Sequence, residues 1–376
     1  LIILNYHYAS RGDLRSHFVY LRRHYRLVSL EEGLRELFAQ KVEQPRPIAD
    51  PRTPLVVTFD DGYWDTYTHA FALACELQVP FTVFLIPGYV EKGDRFWWEE
   101  SQRLADGAAV PEVTLDKRVY RLGHRGQREA LARSIDARVR HAPSVAEREA
   151  FLSTIREALA VPADVSPEEQ LALPMPWSVV REMAASRWVS FGAHTMHHPI
   201  LGYLADSAEV RWEVAESRKV LEEKLGRRVA VFAYPVGRME HLGAYGPTAV
   251  QAAGFEAALT TIAGPNMPRT DPYRLHRVGT DVQEHWLVLA AQAAGVWNLL
   301  LRVEREVRRP LAYLGALADL VLAKGPARRW RIQQTAEAAR RTDAHAARPV
   351  AERHARRSAG EREPASKPAR PGAAES

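Results

Sequence analysis

The sequence is poor in cysteine, in long apolar runs and in charge imbalance, and each shortage excludes something. Cys75 is the single cysteine in 376 residues, so no internal disulfide framework is possible. No apolar run approaches the roughly 20 residues that span a bilayer. No charged start leads into an apolar secretory segment. The chain begins at Leu1 rather than methionine, and a location in the cytoplasm, or on the cytoplasmic face of a membrane, is expected only by default. The net charge of +5 is local: residues 324–376 hold 13 Lys and Arg against 6 Asp and Glu, leaving 38 basic and 40 acidic residues for the rest. A nearly neutral body does not call for a nucleic-acid partner. No internal repeat of fixed period is visible.

What the chain does contain is organised around Leu55-Val56-Val57-Thr58-Phe59-Asp60-Asp61-Gly62. A buried apolar run, rich in β-branched residues, predicts a strand covered on both faces. It ends in two carboxylates that are costly to bury without compensation. Gly62 permits a sharp turn that aims both at one point. On these residues alone, a strand closed by a plain Asp-Gly turn is an equal reading.

The surrounding pattern alternates. Leu1–Tyr6 predicts a strand ending at His7, and helical spacing follows over Phe18–Tyr25 and Leu30–Phe38. A proline-rich loop spans Glu43 to Pro54. Thr66–Leu77 predicts a helix and Val79–Ile86 a strand, completing a βαβ unit. From Gly93 to about Pro176, charged helical segments such as Arg125–Arg140 and Ala146–Leu159 replace strands, opened by Phe96-Trp97-Trp98. These aromatics read as hydrophobic anchors or as a sugar-stacking platform. Strand character returns at Trp188–Ala193. Asp206 with Glu209 has the spacing of a capping box at the start of a helix that stops at Gly226. Val229–Tyr234, Phe255–Thr261 and Leu275–Asp281 predict closing strands, with a short helix over Thr248–Ala253. Trp286–Val307 and Leu311–Ala323 are apolar and helical. From Lys324 the composition predicts disorder.

The chemistry concentrates in three stretches, each at a strand end. The first is the Asp60-Asp61 pair. The second is His194-Thr195-Met196-His197-His198-Pro199: if one helical turn starts there, His194 and His198 share a face and bind one ion. With a carboxylate from the Asp60/Asp61 pair they make a two-His-one-Asp set that suits zinc, with iron, cobalt or nickel also open. His197 points elsewhere in that geometry. The third is Phe232-Ala233-Tyr234-Pro235-Val236-Gly237-Arg238, a strand running into a loop whose backbone N–H groups can point into a site.

In this order, the three stretches resemble the motifs of the polysaccharide deacetylases of carbohydrate esterase family 4, the NodB-homology domain. Thr58–Gly62 resembles the first motif, His194–Pro199 the second and Phe232–Gly237 the third. The resemblance covers roughly Leu1 to Asp281 outside the insertion. It implies a distorted (β/α) barrel that removes N-acetyl groups from sugars with a divalent metal, most readily Zn2+. It implies Asp60 as general base, Asp61, His194 and His198 as metal ligands, and the Tyr234 N–H as holder of the oxyanion. Two departures stand out. The arginine that the third motif usually carries before its Pro-Tyr pair is replaced here by Phe232-Ala233, so Arg238 and Arg277 are its candidates. The late leucine-rich strand ending in histidine is missing after Asp281, where the next histidine is His285. Ile2-Ile3-Leu4-Asn5-Tyr6-His7 has that look at the opposite end of the chain. In a closed barrel the first and last strands are neighbours, so His7 is read as the general acid.

The expected organisation is a barrel from 1–92 and 177–282, a helical insertion at 93–176, C-terminal helices at 283–323 and a disordered basic tail at 324–376. The expected partner is an N-acetylated carbohydrate, with peripheral contact to a membrane or acidic surface through the C-terminal helices and tail. Two alternatives to a sugar N-deacetylase stand: an amidohydrolase of a small non-sugar amide or imide, and a non-catalytic carbohydrate-binding or scaffold module.

Overall fold

A computed structural model describes residues 1–39, 50–161 and 167–296. Most of the proline-rich loop, the end of the first apolar C-terminal segment, the second one and the basic tail lie outside these residues. In chain order the elements are β1 (Ile2–Tyr6), α1 (Leu14–His24), β2 (Arg26–Leu27), α2 (Leu30–Ala39), β3 (Pro54–Phe59), a π-helical turn (Thr66–Phe71), α3 (Ala72–Leu77) and β4 (Phe81–Leu85). Then come α4 (Pro87–Lys92), α5 (Trp97–Gly107), β5 (Glu112–Leu115), β6 (Arg118–Arg121), α6 (Arg125–Arg140), α7 (Val145–Leu159), α8 (Pro167–Gln170) and α9 (Trp177–Ala185). The last are β7 (Val189–Ala193), α10 (Ser207–Leu225), β8 (Val231–Ala233), α11 (Met239–Leu242), α12 (Gly246–Ala252), β9 (Ala257–Leu259), β10 (Val278–Gly279) and α13 (Trp286–Ala293).

The main sheet is parallel, in the order β10-β1-β3-β4-β7-β8-β9, with β2 beside β3. Its strands are buried on both faces, which is why they read as unbroken apolar runs. Leu55, Val57 and Phe59 point into one core with helical partners such as Phe18, Val180 and Val214, while Val56 points to the other side with Ile3, Phe84 and Leu259, where Leu30 and Leu37 of α2 cover it. Residues 275–279 join the two edges. Leu275 bridges Leu259 of β9, and three residues on Val278 pairs with Leu4 of β1. The sheet therefore curls into a distorted (β/α) barrel, and the first strand lies between the last strand and β3.

The segment between β4 and β7 has its own core, with Phe96, Trp97, Leu104, Leu131, Ile135, Leu152 and Ile155. The hairpin β5–β6 inside it was not expected. Its two-residue turn, Asp116-Lys117, has φ of 50° and 65°, the left-handed pair of a type I′ turn. Lysine stands where glycine would have announced such a turn. Asp206 does cap α10, accepting from Ala208 N at 2.7 Å, but no capping box forms. Glu209 accepts instead from Val145 N at 2.8 Å, so it ties the start of α7 to α10.

The carboxyl ends of the strands gather at one rim, as in other parallel α/β barrels. Asp60 N still bonds Tyr6 O at 2.9 Å, after which the chain breaks away through Asp61 and Gly62, with φ of 69° and 79°. A Cβ on Gly62 would meet Leu85 Cδ2 at 2.4 Å. Gly62→Ala should therefore cost about 2–4 kcal/mol from left-handed strain and overlap, measured by urea unfolding. A loss below about 0.5 kcal/mol would show that glycine is not what shapes this turn.

Candidate active site

Ending a strand one residue early separates the fates of two neighbouring carboxylates. Asp60 is gripped by Arg277, whose Nη1 donates to Oδ1 at 2.7 Å and whose Nη2 donates to Oδ2 at 2.8 Å. Arg277 is fully buried and also donates to Asn5 Oδ1 at 3.0 Å and to Thr260 O at 2.9 Å. Burial alone would raise the Asp60 pKa, but Arg277, His194 and His7 outweigh it and the pKa is lowered. Asp61 is in the opposite state. Burial, then the charges of Asp60 and Glu99, push its carboxyl well above the usual range, with Arg277 opposing.

Asp61 Oδ1 is buried, accepts no hydrogen bond, and lies 3.6 Å from His194 Nε2 and 3.7 Å from His198 Nε2. His194 Nδ1 donates to Ala233 O at 2.7 Å, which leaves the Nε2 lone pair facing Asp61. Burial above all lowers the His194 pKa to about 4 and that of His198 well below the usual imidazole value, so both rings are neutral. A buried carboxylate oxygen without a donor, facing two neutral imidazoles, is an expensive arrangement that a cation relieves. A tetrahedral ion with bonds of about 2.0–2.2 Å requires its ligands to be about 3.3–3.6 Å apart. The donor set therefore fits a divalent metal, and among the described residues Asp61, His194 and His198 are the group of this kind.

The two histidines do not sit on a helical turn. Thr195 and His198 have φ of 63° and 54°, so the stretch is a folded-back loop, and its left-handed residues replace the expected i, i+4 geometry. Thr195 Oγ1 accepts from His198 N at 2.9 Å across this loop. His197 faces away, as expected, with Nδ1 2.8 Å from Glu213 Oε1.

His7 follows β1 as Asp60 follows β3, and the register Tyr6↔Phe59 places them level. His7 is open to solvent at the rim, yet the surrounding walls lower its pKa, with Asp60 and Asp281 opposing and Arg277 reinforcing. The expectation for Tyr234 fails. Its N–H donates to Leu259 O at 3.0 Å in the β8–β9 pairing, so that hydrogen is not free for an oxyanion. Arg238 is exposed at the start of α11, which leaves Arg277 as the arginine on Asp60. Of the aromatic trio, Phe96 and Trp97 are buried, and Trp98 lies against His198 with ring centroids 4.3 Å apart. Phe96 stacks on Trp98 at 4.7 Å, so the trio walls the site rather than offering an open platform. Sequence reasoning missed Glu99, which accepts hydrogen bonds from Tyr8 and Tyr63 beside this wall.

The family model described as polysaccharide deacetylase matches residues 149–258. The family is the one the motifs resemble. The match spans the His194–His198 loop and the Tyr234 strand end, and does not reach Asp60. Among curated proteins none matches the sequence. Similar solved structures include IcaB from Ammonifex degensii, with 20% identity over 78% of this chain and 96% of that one and a TM-score of 0.49. Another is the Streptococcus pyogenes deacetylase PplD in complex with acetate, with 16% identity, 78% and 97% coverage and a TM-score of 0.49. A third is the deacetylase domain of BpsB from Bordetella bronchiseptica, with 18% identity, 75% and 96% coverage and a TM-score of 0.45.

The Asp60–Arg277 pair carries a stability prediction. A lowered Asp60 pKa means its contribution is present above the unfolded aspartate pKa of about 3.9 and is lost as pH falls through the folded value. Arg277→Met should cost about 3–5 kcal/mol at neutral pH by stranding a buried charge, with a smaller loss at about pH 3, below the unfolded aspartate pKa of about 3.9, where the pair's contribution declines toward the lowered folded value of Asp60. Urea unfolding at both pH values checks this; an equal loss at both would mean that Arg277 acts through packing alone.

Proposed function

We propose that this polysaccharide deacetylase relative is a metal-dependent hydrolase that removes N-acetyl groups from an amino-sugar oligo- or polysaccharide. The observation that carries the reading is the opposite condition of two adjacent carboxylates: Asp60 is held ionised by Arg277, and Asp61 faces two neutral imidazoles with no donor of its own. Asp61, His194 and His198 hold the ion, and nitrogen and oxygen donors in this ratio suit zinc. A divalent cation there supplies polarisation of the amide carbonyl and acidification of a water.

Asp60 takes a proton from the attacking water. A carboxylate offers about four lone-pair directions, and Arg277 occupies two of them, so the base is oriented and kept charged without being used up. His7, level with Asp60 across the rim, hands a proton to the departing amine. Its lowered pKa places the alkaline limb of kcat/KM at or below the ordinary imidazole range, and a nearby cation pushes the same way. The intact donor set speaks against a scaffold without activity. Tyr234 has no part in this scheme. Among the described residues no helix is long and apolar enough to cross a membrane. The surface contact expected of the C-terminal segments falls mostly on residues outside those described.

Acetate release from a panel of N-acetylated oligosaccharides tests the reading. Zinc-loaded protein should release acetate from at least one. Asp60→Asn should lower kcat/KM by roughly 10²–10⁴ with zinc retained, whereas His194→Ala or His198→Ala should lose most of the zinc. His7→Ala should keep zinc and be less impaired on an activated acetate ester, whose leaving group needs less protonation, than on the amide. No acetate from any sugar, or equal loss by His7→Ala on both substrates, contradicts the respective assignment.

A further inference from the structure

We propose that Glu213, in the middle of α10, is the positioning residue that holds the metal-ligand loop in its working shape, supported from outside by Arg148 and Trp97. The inference rests on the reading of His194 and His198 as ligands and extends it to side chains without a place in that chemistry.

The loop from His194 to Pro199 is under strain. Thr195 and His198, both with a Cβ, occupy the left-handed region, which costs roughly 1–2 kcal/mol per residue. Such strain persists only where the surroundings over-determine it. Here they do. Glu213 is 1% exposed, on a helix face it shares with Val210, Val214 and Ser217. A carboxylate at such a position is costly unless hydrogen-bonded. All its side-chain bonds go to the loop: Oε2 accepts from Met196 N at 2.9 Å and His197 N at 2.8 Å, and Oε1 pairs with His197 Nδ1 at 2.8 Å. These donors lie between the two metal-ligating histidines.

The carbonyls of the same stretch are held from the other side. Arg148 of α7, 3% exposed, donates from Nη2 to His197 O at 2.9 Å. Trp97 of α5 donates from Nε1 to His198 O at 3.0 Å. Gly88 N bonds Met196 O at 3.0 Å, and a Cβ on Gly88 would come within 2.5 Å of that oxygen. Three helices outside the barrel's motif-bearing strand ends and one buried carboxylate thus fix the peptide planes that aim His194 and His198 at Asp61. Residues supporting metal ligands in this way typically change affinity by 10–100-fold when lost.

The test is the zinc affinity of the folded full-length protein, by competition with a chromogenic chelator, with circular dichroism and the metal-free melting temperature measured alongside. Glu213→Gln keeps the size but removes the charge: its one carbonyl oxygen can serve Met196 N and His197 N only with the NH₂ facing His197 Nδ1, which must then accept rather than donate. It should bind zinc roughly 10–100-fold more weakly, and Glu213→Asp, which keeps the charge, should recover part of this. Arg148→Met leaves the Glu213 contacts in place and should weaken zinc binding severalfold, carrying the test if Glu213→Gln does not fold. Folded Glu213→Gln with wild-type zinc affinity overturns the proposal, even if its metal-free melting temperature falls, because Glu213 is then only structural. If Glu213→Gln does not fold, wild-type affinity in Arg148→Met does the same. Wild-type protein that takes up no zinc overturns the ligand assignment and this inference together. Protein that binds zinc but releases no acetate contradicts the proposed activity alone, and the zinc affinities still decide the role of Glu213.

Discussion

Two neighbouring aspartates at the end of a buried strand cannot be compensated in the same way, and the site depends on that constraint. Were Asp60 and Asp61 both left on a continuing strand, they would point to opposite faces. The left-handed step at Asp61, continued by Gly62, turns the second carboxylate toward the histidine loop and leaves the first against Arg277. One negative charge is neutralised by protein, and the proposed ion would neutralise the other.

The topology makes this division possible. Arg277 reaches Asp60 because residues 275–279 bind both edges of the sheet and bring the last strand beside the first. The same arrangement sets His7 level with Asp60 by placing β1 next to β3. A strand at the N-terminus and an arginine near the end of the barrel thus meet at one carboxylate, far apart in sequence and adjacent in the ring. The helices between β4 and β7 contribute as well: Trp97 and Arg148 bond the carbonyls of the histidine loop.

Much of this was legible in residue order. The doubly buried strands announced themselves as unbroken apolar runs, and the Asp-Asp-Gly and His-x-x-x-His stretches marked the strand ends where the candidate site forms. Two of the failures share a cause. A left-handed backbone on residues other than glycine has no sequence signature, so the His194–His198 stretch read as a helical turn and the Asp116-Lys117 hairpin was missed. Tyr234 failed because strand pairing claims a backbone N–H without leaving a trace in side-chain identity. Glu209 had the spacing of a capping box, but a long-range donor, Val145 N, took its carboxylate. Arg277 was a candidate only because the customary arginine was absent; a cation between Leu275 and Val278 in an apolar strand was the available signal. Glu213 left a comparable one, a carboxylate on the apolar face of α10.

A crystal structure of the zinc-loaded protein, with the ion placed by its anomalous scattering, tests the central claim most directly. The account predicts one ion within about 2.0–2.2 Å of Asp61 and of the Nε2 atoms of His194 and His198, with Asp60 still paired to Arg277 and not ligating. An ion bound through Asp60, or zinc located away from this triad, would contradict the separation of the two carboxylates on which the mechanism is built.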